Sequence, residues 1–423
     1  MGTELPSQPR YLWLLALALV VLAAGIPLTL YWAVLGRSPS ISAAEARRQL
    51  ALPGSLAVLV DVRDAAERVA APLPEAAPWP ATNILALRSP DEMPAEFRDR
   101  PLLLLCSSGL NSALAVQRLR RLGLTSAVSV RGGYQSWIAA EPAGEALQTT
   151  PPAEQFALVA AVFPLKLIYM AVALAAIVLL WGQSEIVLAA LRWSMLFFLA
   201  GELFCWVNIV AFNEESVPLE FLHSWGMVAC LGFLAFAAVE AVDRGLIHYS
   251  DPRARCAFAG LCRGCAKTQD TPCLVLRLFK WTLPCLAVVA LMPLTVQPAA
   301  VSYNTRLFSL VRNLMHPVII QLYESRFAPV AAISLLAVAW LLLLAGGRSS
   351  FSLLLSKVFL SAGLGHLGFG LMRVTLLAYF RSDLTWFVFW EEATELVLTA
   401  SVVFVVWVFQ ARLIRRAAVR TTS

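Results

Sequence analysis

Cys106 stands at the end of an unbroken leucine run and at the head of a stretch of small residues, "LLLLCSSGLNS" (residues 102–112). Four leucines in a row read as a strand buried on both faces, the pattern of a parallel sheet. Ser107, Ser108, Gly109, Leu110, Asn111 and Ser112 follow at once. Small residues let the chain curl so that backbone N–H groups point inward, and a helix starting there adds its positive end. Such a cradle favours a thiolate. It would equally hold a persulfide, the anion left when the thiolate takes sulfur from a donor. The competing reading is a structural cysteine buried at a strand end, as cysteines often are.

A second group with chemistry in it is "CAFAGLCRGCAKTQDTPC", with Cys256, Cys262, Cys265 and Cys273 spaced C-x5-C-x2-C-x7-C. The C-x2-C pair fits one metal through both thiolates, and four thiolates suit zinc or an iron–sulfur cluster. Two disulfides or idle thiols are the alternatives. Cys205, Cys230 and Cys285 lie within apolar runs and read as small packing residues. A third group is the ionisable set inside apolar stretches: Glu202, His223, Glu240, His366, Arg373, Glu391, Glu392 and Glu395. Charge in a bilayer is costly and marks functional sites by default. Glu391 and Glu395, four apart, share a helix face, and Arg373 is placed to neutralise one of them. Two readings stand: inter-helix salt bridges, or a polar cavity for an anion, a proton or a quinone. His223 and His366 are the one pair that would hold a haem, and their unequal depths disfavour it. His316, before Pro317, is expected at the surface or the membrane interface.

The elements that must position these residues are mostly membrane spans. The chain has 423 residues, 59% hydrophobic and 14% charged, with mean hydropathy +0.71. A soluble domain is nearer half apolar and a quarter charged. Residues 11–35, 281–300 and 327–347 form uncharged runs of 25, 20 and 21, and a bilayer-spanning helix needs roughly 20. Runs at about 159–181, 186–211, 219–243, 353–380 and 384–411 carry one or a few charges, giving about eight spans. Residues 1–37 are expected to hold an uncleaved anchor helix, 38–150 a soluble domain, and 151–411 seven helices with a Cys-rich loop at 244–276. Residues 412–423 are a basic tail.

Orientation follows from charge. Segment 244–280 holds Arg244, Arg253, Arg255, Arg263, Lys267, Arg277 and Lys280, and the tail holds Arg412, Arg415, Arg416 and Arg420. Cytoplasmic loops collect such residues. Both termini are therefore expected inside and 38–150 outside, as in a bacterial inner membrane protein with its soluble domain in the periplasm. The net charge of +6 resides largely in the inner loops and gives no case for nucleic acid. The sequence leaves the oligomeric state open.

Within 38–150, Ser42 and Glu45 have capping-box spacing. "LAVLVDVRDAAE" (56–67), "RPLLLLC" (100–106) and "SAVSV" (126–130) read as strands. "NSALAVQRLRRLGL" (111–124) reads as an amphipathic helix with Leu114 or Ala113, Val116, Leu119 and Leu122 near one face and Arg118, Arg120 and Arg121 exposed. Strands alternating with helices predict an α/β domain with a parallel sheet, and ligands then bind at the carboxyl ends of the strands.

Three motifs in order make this insert resemble a rhodanese domain over about 105 residues. They are Asp61-x-Arg63-x-x-x-Glu67, the Cys106 loop against Cys-x-x-Gly-x-Arg-Ser, and Gly132-Gly133-x-x-x-Trp137. The resemblance implies a sulfurtransferase in which Cys106 carries sulfane sulfur as a persulfide, with 107–112 as its loop and Asp61 and Arg63 in support. The implied donor is thiosulfate or another persulfide. Asn111 stands where the family often has Arg, and "APWPATNIL" (77–85) replaces the usual Gly-His-Ile-Pro-Gly-Ala. Asn cannot supply the bidentate charge that grips an anionic donor, and some divergent rhodanese domains are not catalytic. Two functions follow. One is a membrane-bound sulfurtransferase coupled to transport or electron transfer. The other is a transporter or redox membrane protein with a rhodanese-like sensing or binding domain. The membrane part is read from its ionisable residues alone.

Overall fold

The computed structural model describes residues 10–139, 151–212, 216–243, 273–296, 301–307, 310–316, 318–345, 350–380 and 383–421. In the soluble domain the order is β1 (Ser40–Ile41), α2 (Ala43–Ala51), β2 (Val58–Asp61), α3 (Ala65–Ala70), β3 (Ala77–Pro78) and α4 (Ala81–Ala86). It continues with β4 (Leu102–Leu105), α5 (Leu110–Arg121), β5 (Val128–Val130) and α6 (Gly133–Ala139), all preceded by the membrane helix α1 (Arg10–Tyr31). The five strands form one parallel sheet in the order β1-β5-β4-β2-β3. The leucine run is explained by its central place. Leu102 and Leu104 join Trp79, Ile84, Phe97 and Val116 on one face, while Leu103 and Leu105 join Leu59, Val130 and Trp137 on the other. All four leucines are buried, so alternation has nothing polar to show. The Ser42 hydroxyl accepts from Glu45 N–H at 3.2 Å and caps α2, as its spacing predicts.

One expectation about α5 changes. Ala115, Val116 and Leu119 are buried and fill the domain core, but Leu114, only partly buried, packs with Leu110 against the core of the membrane helices. Arg118 is half-buried and donates to Leu87 O at 3.0 Å instead of standing free. The domain is thus seated on the bundle by the helix that follows Cys106. Ser38, just past the first span, donates to Ala113 O at 3.0 Å and accepts from Gln117 Nε2 at 2.8 Å.

The remaining elements are α7 (Pro152–Ala160), α8 (Lys166–Leu180), α9 (Ile186–Phe212), α10 (Val217–Val242), α11 (Cys273–Leu291), the hairpin β6 (Val301–Leu307) and β7 (Leu310–His316), α12 (Val318–Leu322), α13 (Ala328–Ala345), α14 (Ser350–Phe380) and α15 (Leu384–Thr421). Among the described residues, six helical stretches are long and apolar enough to cross a membrane: Leu17–Gly36, Pro152–Leu180, Ile186–Phe212, Val217–Val242, Ile319–Leu344 and Phe351–Phe380. The expected count of about eight is not confirmed. The run at 281–300 yields the shorter apolar helix Thr282–Thr295, and α15 carries Glu391, Glu392 and Glu395 in its first turns. The antiparallel β6–β7 hairpin falls where only a loop is expected.

Small residues set the bundle's close contacts. A Cβ on Gly226 would lie 2.7 Å from the Gly201 Cα, and one on Gly365 would lie 2.8 Å from Val228 O. Both contacts involve α10, which therefore sits at the centre beside α9 and α14. The first span packs inside this bundle through Val20, Ala24 and Leu28, and its Tyr31 hydroxyl donates to Ile319 O at 2.5 Å. Glu240 is buried near Asp243, and Lys357 donates to both, at 2.7 Å to Glu240.

Candidate functional site

Cys106 follows β4 directly, and its side chain is buried. The Gly109 N–H donates to its Sγ at 3.0 Å, and the Ser112 hydroxyl lies 3.4 Å from the same sulfur. Ser112 is in turn 2.8 Å from the Ser129 hydroxyl on β5. The turn that aims Gly109 inward requires φ +92, in the left-handed region that favours glycine. Helix α5 begins at the next residue, so its positive end points at the sulfur. Ser107 donates to Glu67 Oε1 at 2.5 Å, and Glu67 closes a capping box with Asp64 on α3. Ser108, Gly109 and Leu110 line a cleft, and Asn111 is exposed.

Behind the loop, Gly133 presses against it with φ +62, and a Cβ there would fall 2.1 Å from Cys106 O. The next residue, Tyr134, donates its N–H to Cys106 O at 2.6 Å. The Tyr134 ring stacks under the Arg63 guanidinium, 4.2 Å away. Arg63 is gripped by Asp61, with Nη2–Oδ2 at 2.6 Å, and both are buried. Its hydrogen bonds to the Asp61 carboxylate push the Arg63 guanidinium above its ordinary value. Asp61 and Arg63 therefore hold the floor of the loop and do not touch the sulfur.

The cleft beside the loop has about 450 Å³ of empty space, and its far wall is membrane helix: Val217, Ile319 and Leu322. A second cavity, of about 790 Å³, lies next to it inside the bundle. The start of α10 and the segment 316–322 wall both spaces, with Glu220, His223 and His316 on the second. The structure brings most of the intramembrane set together there. Lys166 Nζ stands 2.5 Å from Glu202 and 3.0 Å from Glu392. Arg373 stands 2.8 Å from Glu391 and 3.6 Å from Glu324. Glu395 lines the same cavity.

His223 and His366 are not joined. A guanidinium only donates, so Arg373 Nη2, at 2.6 Å, makes His223 Nε2 an acceptor and leaves Nδ1–H for Gly201 O at 3.1 Å. His366 Nδ1 pairs with the Tyr323 hydroxyl at 2.8 Å. His316 is not at the surface: it is buried and bonds Glu324 at 2.9 Å, because the chain after β7 turns into the bundle. Cys205, read as packing, lines the polar cavity close to Glu202 and His223. Cys285 is exposed and Cys230 is buried against Ser194. The cluster Cys256, Cys262 and Cys265 lies outside the described residues, and Cys273 is described only as the first residue of α11.

Lys166, Tyr169 and Glu324 complete the cavity network and escape a sequence reading. Lys166 sits near one end of an apolar run, where a lysine reads as reaching out to the interface. Pro164, inside the π-helical turn Ala161–Leu165, was the available signal that the helix is reshaped there.

A parallel α/β sheet that ends its middle strand in one thiol, held at a helix N-terminus, defines the class of the soluble part. Residues 42–140 match the family model of the rhodanese-like domain, and this part of the chain is a rhodanese-like domain. The match supports sulfurtransferase or sulfur-binding chemistry at the level of that family. Comparison with curated proteins and with solved structures finds no match.

Proposed function

We propose that the protein is a membrane-bound sulfurtransferase that carries sulfane sulfur on Cys106. The observation behind this reading is the Gly109 N–H, 3.0 Å from Sγ at the start of α5. The thiolate attacks the outer sulfur of thiosulfate or of a persulfide. One S–S bond forms on Cys106 and the donor's S–S bond breaks, with sulfite or a thiolate leaving on the electron pair. An acceptor thiolate then takes the terminal sulfur and restores the Cys106 thiolate. No oxidant enters at any step. The charge distribution supports a periplasmic domain with both termini and 244–280 in the cytoplasm of a bacterial inner membrane protein.

A second reading, a membrane transporter or redox protein with a sulfur-sensing domain, draws on Leu110. This residue follows the cradle and packs on the bundle core, so a sulfur load on Cys106 is placed to be felt by the helices.

The deciding experiment uses the full chain in a lipid mimic with thiosulfate and a thiol acceptor. Sulfur transfer is expected in the native protein and absent in Cys106→Ala. No transfer by the native protein would favour the sensing reading. Asn111→Arg restores a bidentate cation at an exposed position. A charged hydrogen bond contributes about 1.5–3 kcal/mol, so thiosulfate kcat/KM is expected to rise about tenfold or more. An unchanged value would mean that the donor is not gripped there. For orientation, single cysteines introduced at 85–98 are expected to react with an impermeant maleimide in intact cells. Labelling only after lysis would reverse the topology.

A further inference from the structure

The cavity network holds more carboxylates than cations, and one hydroxyl reports where a proton must be. Tyr169 accepts from Lys166 Nζ at 2.7 Å. Its hydroxyl also contacts Glu202 Oε2 at 2.5 Å and Glu392 Oε2. A phenol has a single proton and donates it once. The ammonium has no lone pair to offer. The second carboxyl oxygen therefore meets an oxygen lone pair, and that contact is a hydrogen bond only if this carboxyl carries a proton itself.

Charge arithmetic agrees. Five buried or nearly buried carboxyls face this network: Glu324 ahead of α13, Glu202 on α9, and Glu391, Glu392 and Glu395 on α15. Among the described residues the fixed cations facing it are two, Lys166 on α8 and Arg373 on α14. His223 on α10 is an acceptor toward Arg373, which leaves His316, bonded to Glu324, as the one further cation available among the described residues. Glu220 on α10 adds another carboxyl at the cavity wall, and the Cys205 thiol adds no positive charge. Carboxylates crowded in a low-dielectric site do not all ionise.

Glu395 supplies the third observation. It is 3% exposed, and its Oε2 has no hydrogen-bond partner among the described residues. The residue lines the cavity. Oxygens of Glu202, Glu392 and Glu395 lie within 4.8 Å of one another, a spacing that would also suit a divalent cation. Lys166 Nζ, however, already stands 2.5 Å from Glu202 and 3.0 Å from Glu392. An ammonium in contact with two of the three would repel a metal, whereas a proton needs only the oxygens.

We propose that Glu202, Glu392 and Glu395 share at least one exchangeable proton at neutral pH, and that this triad is the proton-binding site of the membrane part, loaded from the cavity past Glu395. Proton binding at this triad does not depend on sulfur transfer at Cys106. The test is infrared spectroscopy of the full-length protein in lipid nanodiscs at neutral pH, reading the carbonyl stretch of a protonated carboxylic acid. The native protein is expected to show the band, the band is expected to shift in D2O, and Glu392→Gln/Glu395→Gln is expected to lose it. Should the double variant not fold, Glu392→Gln and Glu395→Gln are read singly, each lowering or shifting the band. A native spectrum without the band, a band indifferent to D2O, or a band unchanged in these variants would overturn the proposal. So would a stoichiometric divalent metal whose removal makes the band appear.

Discussion

Lys166→Met is expected to destabilise the folded protein by about 3–5 kcal/mol, the usual cost of removing one partner from a buried ion pair. Lys166 is 1% exposed and bridges three helices, from its place on α8 to Glu202 on α9 and Glu392 on α15. Methionine keeps most of the side-chain volume and removes the charge, so the loss is electrostatic and not a packing defect. The buried carboxylates left behind lose their cation and must take up a proton at a cost in folding free energy. Thermal unfolding of the purified protein in one fixed detergent measures this against the native chain. The double variant Lys166→Met/Glu202→Gln removes the cation together with the nearer of its two carboxyl partners and is expected to recover part of the loss. An unshifted midpoint in Lys166→Met would mean that the ion pair does not hold these helices.

Gly133→Ala is expected to slow sulfur loading about 10²-fold, the scale of a 1 Å misplacement at a reacting group. The added Cβ would stand 2.1 Å from Cys106 O and 2.8 Å from Gly109 N. The second contact reaches the very group that donates to the sulfur. Both neighbours are backbone, so relief requires the loop itself to move. A left-handed conformation costs an alanine about 1–2 kcal/mol besides. Gly123→Ala is the control: its φ is +99 with nothing within 4 Å of the added atom. It is expected to show the strain without the loss of loading, and equal behaviour of the two variants would remove the loop's geometry from the account.

The thiol site was legible because its signals are local. The leucine run, Cys106 and the small residues Ser107, Ser108 and Gly109 are contiguous in the chain. The conformations of Gly109 and Gly133 are ones that glycine favours. Asp61 and Arg63 were legible as a motif, but their action through Tyr134 and the Cys106 carbonyl depends on a contact between distant strand ends. The intramembrane set was legible as a list, because ionisable residues are rare in apolar runs. Its pairing was less so. Arg373 divides itself between Glu391 and Glu324, the latter in a π-helical turn that the pattern does not announce. His316 looked superficial because it precedes Pro317, and only the packing against Phe387 and Glu324 buries it. Leu114 shows the same limit. A hydrophobic stripe says that a helix face is covered, not whether its own domain or the bundle covers it.

The central claim is that Cys106 holds sulfur as a persulfide, and the most direct measurement is the mass of its peptide. The full-length native protein, treated with a modest excess of sulfane-sulfur donor and trapped by alkylation, is expected to carry one additional sulfur atom on Cys106. The same treatment of Cys106→Ala is expected to leave that peptide unchanged. A native Cys106 that gains no sulfur would contradict the account.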